Sequence, residues 1–301
     1  MNKVNLGLVL IIGLLLLGLS QFPDDKLHIT VCDVGQGDAI LVSWKNYQML
    51  MDGGPDGSIL HCLGKQMGFW DRTIELVVLS HPQADHMTGL IEVFERYEVK
   101  KMLVGNVVND TAEFWKLREL VIAEKTEVYE PIQGKRLKLG SRGRGARQVE
   151  FEVLWPAEKG GNSLAWKGEG NEKREKVLGI YDDKSDVNEI SIVLQGSFGK
   201  FDFLLTGDIG KQIEKMLMAL DVIEEVELLK IAHHGSKYSS GEEFLEIVKP
   251  EIAVISVGKN SFGHPTKEVL GLLGEVGVEV LRTDEKGMIE ILSDGKRWWT
   301  K

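Results

Sequence analysis

The sequence predicts one α/β domain built from two sheets or two similar halves. Short apolar, strand-like runs alternate with helical ones along the chain, no clear linker divides them, and five of the strand-like runs end in clusters of His, Asp and Gly. At 301 residues, 43% apolar and 27% charged, the chain can bury a substantial core, and its composition excludes a fibrous or wholly disordered protein.

Residues 1–23 stand apart. After Lys3, the run 4–19 is apolar or glycine except for Asn5, and Ser20 comes next. It falls short of the roughly 20 residues that a spanning helix needs, and Gly18-Leu19-Ser20 has the small residues of a signal-peptide cleavage site. A cleaved signal and an uncleaved membrane anchor both stay open. Either puts the folded domain, 27–301, outside the cytoplasm, exported or held on the outer face of the cytoplasmic membrane.

Strands are expected at 27–33, 39–44 and 47–51, with turns at Gly35-Gln36-Gly37 and Asp52-Gly53-Gly54. A helix over 58–67 precedes a strand over 74–80. Next come a helix over 86–96, a strand over 99–104 and a helix over 112–123. Strands over 149–154 and 190–195 flank the stretch 157–186, whose Gly, Lys, Glu and Asp predict a surface insertion. The second half gives strands at 201–205, 227–232, 252–257 and 278–281. Its helices are expected at 209–220, 242–248 and 266–273. No exact repeat is present.

Cys32 falls in an expected strand and Cys62 in an expected helix, and two unpaired core residues are the expectation, although an exported protein permits one disulfide. The net charge of −10 argues against indiscriminate polyanion binding by the whole surface. Lys135, Arg136, Lys138, Arg142, Arg144 and Arg147 nevertheless run together without an acid. Two readings stay open for them: a solvated, Gly-rich hairpin tip, or a substrate-binding arm for phosphates.

The informative pattern lies just beyond the strand ends. The strand ending at Met51 runs into Asp52-Gly53-Gly54. The next runs into Ser80-His81-Pro82-Gln83-Ala84-Asp85-His86. Later ones run into Thr206-Gly207-Asp208, into His233-His234-Gly235-Ser236, and on to Gly263-His264-Pro265. Five of the seven histidines lie in these clusters. Imidazole nitrogens and carboxylate oxygens are the ligands of zinc and related hydrolytic ions. The bland alternative for His81, Asp85 and His86 is a helix-capping Asp beside two incidental histidines. Thr206-Gly207-Asp208 and Gly263-His264-Pro265 are weak signals singly.

Together these residues resemble the metallo-β-lactamase superfamily, and specifically the hydrolase domain of ComEC-type DNA-uptake competence proteins. The segments that carry the resemblance are Asp33-Val34-Gly35-Gln36-Gly37-Asp38-Ala39, His81 to Gly89, Leu204 to Asp208, Ala232 to Ser236 and Gly263 to Thr266. It spans about Leu27 to Trp299 and implies an αββα sandwich, two mixed sheets flanked by helices, with a metal site at the strand ends. It implies Asp85, His86 and His264 as ligands of one divalent metal, His81 as a ligand of another, and Asp208 bridging them. Asp52 would orient the ligands, and His233 or His234 would donate a proton. Asp33 is carried over as a supporting or weak-ligand position.

Two departures matter. The superfamily pattern is His-x-His-x-Asp-His, and Gln83 stands at its second His. Asn188 stands where a later ligand His is expected. Amides suit harder ions such as Mn²⁺ better than Zn²⁺, so one tight site and one weak site are expected. The family's domain usually sits on a large multispan channel, so the resemblance describes a stand-alone relative. The leading expectation is a phosphodiesterase acting on nucleic acid, with catalysis by Asp85 and His233 or His234. The alternatives are a hydrolase of a small ester, lactone or amide, and a non-catalytic binding module with an eroded site. No Cys comes after Cys62, which lowers the β-lactam option.

Overall fold

The computed structural model describes residues 22–105, 107–140, 147–156 and 187–301. The expected leader as far as residue 21, the expected insertion at 157–186, and Arg142 and Arg144 lie outside the described residues. No described helix is long and apolar enough to cross a membrane.

The strands are β1 (Leu27–Val31), β2 (Ile40–Trp44), β3 (Tyr47–Met51), β4 (Thr73–Ile74), β5 (Leu76–Leu79), β6 (Glu98–Val99), β7 (Lys101–Val104), β8 (Glu127–Tyr129) and β9 (Arg136–Leu139). They continue with β10 (Val149–Trp155), β11 (Val193–Phe198), β12 (Phe201–Leu205), β13 (Leu228–Lys230), β14 (Ile252–Ile255), β15 (Glu279–Arg282), β16 (Ile289–Ser293) and β17 (Trp298–Thr300). The described helices are α1 (Ile59–Gln66), α2 (Ala84–Phe94), α3 (Ala112–Ala123), α4 (Lys211–Ala219), α5 (Glu242–Val248), α6 (Lys267–Glu275) and α7 (Thr283–Lys286).

Among the described residues, one sheet has the order β17-β16-β1-β2-β3-β5-β7-β8 and the other β15-β14-β13-β12-β11-β10-β9, while β4 and β6 form a small ribbon. Each sheet is mixed. β3, β5, β7 and β8 run parallel in the first, and β12 through β15 run parallel in the second. Strands in such positions are buried on both faces, and all four residues of β5 and of β14 are buried.

Three apolar clusters define the layers. One lies between the sheets and joins Ile29, Val42 and Val78 to Phe151, Phe203 and Val254. The second packs the outer face of the first sheet against α1, α2 and α3, through Leu63, Leu90 and Leu117. The third packs the second sheet against α4, α5 and α6, through Leu217, Leu245 and Leu273. This is the expected αββα sandwich. Phe203 is fully buried in the middle layer, so Phe203→Ala would cost about 3–5 kcal/mol.

The structure departs from the sequence expectations in several places. The single strands expected at 74–80 and 99–104 are each broken, because their first residues pair with each other as β4 and β6. The strand expected at 190–195 begins only at Val193, after a 3₁₀ turn over Val187–Ile190. β8, β9, β16 and β17 were not expected. Cys32 and Cys62 form a disulfide, because α1 lies over the end of β1 and brings their Cα atoms to 5.7 Å.

The basic run also differs from a bare cationic arm. β9 and β10 form an antiparallel pair with Glu152 opposite Arg136 and Glu150 opposite Lys138. Arg136 pairs with Glu152 at 2.9 Å, and Lys138 pairs with Glu150. Arg147 donates to the Asp294 carbonyl at 2.6 Å, and Lys135 lies over the Tyr129 ring. Acids absent from the linear stretch face its cations across the hairpin.

Candidate metal centre

The carboxyl ends of β3 and β5 in one sheet, and of β12, β13 and β14 in the other, converge on one polar cluster. Asp52 comes directly after β3 in a left-handed conformation, φ 61°, which costs a non-glycine residue about 1 kcal/mol or more. Its carboxylate accepts from the Ser80 N–H at 2.7 Å and the Ser80 hydroxyl at 2.6 Å, and it meets His86 Nδ1 at 2.9 Å. With Nδ1 engaged, His86 turns Nε2 into the centre, the usual way a buried carboxylate fixes a metal-binding imidazole.

Pro82 and the extended Gln83 lead into α2, and Asp85 in its first turn complements the helix dipole. Gly37 packs against that turn with φ 140°, where a Cβ would collide with the Asp85 carbonyl. The Asp38 N–H donates to the same carbonyl at 3.2 Å.

From the second sheet come Asp208, His233 and His234. His233 and His234 are left-handed, φ 50° and 54°. His234 Nδ1 donates to the Ser256 carbonyl at 2.8 Å, which aims Nε2 at Asp208. His86 Nε2 and His234 Nε2 each lie 3.3 Å from Asp208 Oδ2. Asp85 Oδ2 lies 3.6 Å from His234 Nε2 and 4.0 Å from His86 Nε2. Two overlapping groups, Asp85-His86-His234 and His81-His86-Asp208, each keep their donor atoms within 4.8 Å of one another.

These donors fit a divalent cation. The Nε2 atoms of His86 and His234 are buried without a hydrogen-bond partner, although each faces a carboxylate oxygen. Donors that converge on one point without bonding each other are what a shared ion satisfies. Asp85, His86, His234 and Asp208 would hold it.

The two oxygens of Asp208 face different partners. Its Oδ2 faces the histidines, while its Oδ1 lies 3.5 Å from the ammonium of Lys230. Lys230 is fully buried, donates to the Gly207 carbonyl at 3.0 Å, and pairs closely with Asp38. Asp38 also lies 3.5 Å from His234 Nδ1. Sequence reasoning missed both residues. The signal for Lys230 was a charge inside the apolar run Leu228-Leu229-Lys230-Ile231, where an unpaired lysine would be costly. For Asp38 it was the second acid of the opening motif. Asp33, the first acid, is exposed and accepts only weakly from the Gly35 N–H, at 3.4 Å.

The remaining expected residues fall around this core. His81 Nε2 meets the Gln83 amide oxygen at 3.1 Å, and its Nδ1 meets the Ser80 and Ser191 hydroxyls at 3.0 and 3.2 Å. Ser191 also accepts the Asp208 N–H at 3.2 Å, and Asn188, three residues before it, is buried. His264 lies outside the groups of converging donors, with its ring 5.6 Å from that of His233, and its Nδ1 is buried without a hydrogen-bond partner. His233 lies at the mouth, with Nε2 4.0 Å from Asp208 Oδ2.

The electrostatics arise from these contacts. Burial pulls His86 and His234 down, but Asp208 with Asp52 or Asp38 raises both well above the ordinary histidine value. Burial and the adjacent His86 push His81 down to about 3. Burial raises Asp38 and Asp208. Lys230 and His234 outweigh it, lowering Asp38 to about 2 and Asp208 well below the usual range.

No protein-family model matches the sequence. Solved structures share the fold. The metallo-β-lactamase fold protein YhfI from Bacillus subtilis is 11% identical, with a TM-score of 0.52 over 92% of this chain and 100% of that one. CmlA, a diiron β-hydroxylase from Streptomyces venezuelae, is 15% identical, with a TM-score of 0.51 over 93% and 55% of the two chains. Sandwich and strand-end cluster thus define a protein of the metallo-β-lactamase fold. Within that class, ComE operon protein 3 of Bacillus subtilis is 27% identical over 220 residues, 73% of this chain and 24% of that protein. Competence protein ComA of Neisseria gonorrhoeae is 28% identical over 273 residues, 89% and 32% of the two chains. Recombination protein 2 of Haemophilus influenzae is 23% identical over 296 residues, 96% and 32%. The chain is a relative of the ComEC-type competence proteins, and it spans about a quarter to a third of the length of these curated relatives.

Proposed function

We propose that the chain is a metal-dependent hydrolase, and more narrowly a phosphodiesterase that cleaves DNA outside the cytoplasm. The observation that carries the reading is the approach of the Asp85 and Asp208 carboxylates to the Nε2 atoms of His86 and His234, two imidazole nitrogens left without a hydrogen-bond partner. A divalent cation, Mn²⁺ or Zn²⁺, supplies a Lewis acid there when bound and makes water acidic enough to attack at neutral pH.

The chain's own residues divide the remaining work. Asp52 and the Ser256 carbonyl hold His86 and His234 in the tautomers that present Nε2. Asp85, the most exposed of the four donors, accepts a proton from attacking water. His233, at the mouth, donates one to the leaving oxygen, work worth roughly 10²–10⁴-fold. His234 is then a ligand rather than the donor. The names of two relatives, a competence protein and a recombination protein, support DNA as the substrate. The leader sequence and the Cys32–Cys62 disulfide support a site outside the cytoplasm.

The test is cleavage of end-labelled single-stranded and duplex DNA by chain loaded with Mn²⁺ or Zn²⁺. Cleavage that requires metal and is lost in Asp85→Ala is the expected result. Bound metal without cleavage would move the reading to a small ester, lactone or amide, and no metal binding at all would favour a non-catalytic module.

A further inference from the structure

Two surface loops meet beside the centre. The loop 235–241 comes directly after His234, and the loop 258–266 carries His264. They are tied together where Thr266 donates to the Gly235 carbonyl, from its N–H at 2.9 Å and its hydroxyl at 3.1 Å. Each presents an exposed aromatic beside a lysine: Tyr238 beside Lys237, and Phe262 three residues after Lys259. Neither contains an acidic residue, in a chain whose net charge is −10.

Phe262 is the more telling of the two. It is 71% exposed, so it contributes little to the core. Yet its loop is braced. The Asn260 side chain accepts from the Phe262 and His264 N–H groups at 3.1 and 3.0 Å and donates to the Gly258 and His264 carbonyls at 2.9 and 2.8 Å. Such bracing holds an apolar ring in water, where solvation alone gives it no reason to stay.

The ring also stands at the outer end of a series leading inward. Its centroid is 5.7 Å from that of His264, at 30° between planes. His264 is 5.6 Å from His233, and His233 is 6.2 Å from His234 in the centre. A flat, apolar group resting on Phe262 would thus be separated from His233 at the mouth by the His264 ring.

We propose that Phe262, with Lys259 on its own loop and Lys237 on the adjoining one, is a stacking shelf for a nucleobase, and that the substrate is a single strand whose unpaired base rests there. This rests on the phosphodiesterase reading and adds its strand type. A base inside a duplex cannot offer its face to a protein ring, whereas an unpaired base can, whatever its identity. The two lysines supply charge for the adjoining phosphates without specifying sequence.

The test uses the full chain loaded with Mn²⁺ and single-stranded DNA carrying one 2-aminopurine. Binding should quench its fluorescence in wild type and in Phe262→Trp but not in Phe262→Ala. For a stacked base, Phe262→Ala should lower kcat/KM on single strands by about tenfold to a hundredfold. An abasic residue at the stacked position should cost wild type a similar factor, and the two losses should not multiply. If wild type cleaves single strands and Phe262→Ala stays within about threefold of it, the shelf is refuted while the phosphodiesterase reading stands. If wild type cleaves no DNA, that reading fails. Quenching that depends on Phe262 would then still support the shelf, and its absence would refute it.

Discussion

Replacing Lys230 by Met removes a buried charge while nearly keeping its volume. Three acceptors lose a donor: the Asp38 carboxylate, the Gly207 carbonyl at 3.0 Å and Asp208 Oδ1 at 3.5 Å. Asp38 is 1% exposed, so water cannot replace the ammonium. Breaking a buried pair by removing one partner costs about 3–5 kcal/mol. His234 still stands 3.5 Å from Asp38, which puts the expected loss near the lower end of that range. Its pH dependence has a definite sign. Asp38 is held at about 2, below the ordinary 3.8, so in wild type its contribution is present above about 3.8 and is lost as pH falls toward 2. Without Lys230, burial raises the carboxyl instead. The cost of the substitution is then largest at neutral pH and shrinks as acid protonates Asp38. The assay is urea unfolding of metal-free protein at pH 7 and pH 5, for Lys230→Met, Asp38→Asn and the double variant. The double variant should recover about 2 kcal/mol relative to the sum of the singles. A Lys230→Met loss below about 1 kcal/mol, or simple additivity, would refute the pairing argument.

Metal analysis of purified chain should find one tightly held ion, absent in His234→Ala and Asp208→Ala but kept in His264→Ala. Two tight ions per chain, or loss of the ion in His264→Ala, would overturn the ligand set of Asp85, His86, His234 and Asp208. His28 bridges Asp24 at 2.9 Å and Glu290 at 2.8 Å, and although burial pulls its pKa down, these carboxylates raise it above 6.5. Its stabilisation, about 1 kcal/mol at most, is therefore complete below pH 6.5 and lost as pH rises through the folded value. Unfolding midpoints of wild type and His28→Gln should converge between pH 6 and 9, and parallel profiles would show that His28 contributes nothing.

The sandwich was legible because its buried parallel strands are uninterrupted apolar runs such as 76–79 and 252–255, each ending in a polar cluster. β9, with Arg136 and Lys138 alternating with Leu137 and Leu139, was hidden by charges whose partners sit across the hairpin. β16 and β17 lie after the last polar cluster and carry no strand-end signal. At the site, His86, Asp85 and Asp208 are marked by local spacing. The convergence of His234 with them is not, since it depends on how His234 adopts a left-handed backbone and reaches the Ser256 carbonyl. Lys230 and Asp38 are 192 positions apart in the numbering of the chain. Only the approach of the two sheets brings them together.

The bond between Cys32 and Cys62 also determines which chemistry the centre can suffer. These are the only cysteines, and each is locked to the other, so the donors that surround the cation position are nitrogen and oxygen alone. A thiolate-ligated ion can be expelled by peroxide or captured by heavy metals through its sulfur. Here neither reagent finds a sulfur among the ligands. The same absence of a soft donor leaves the choice of ion to charge, size and supply.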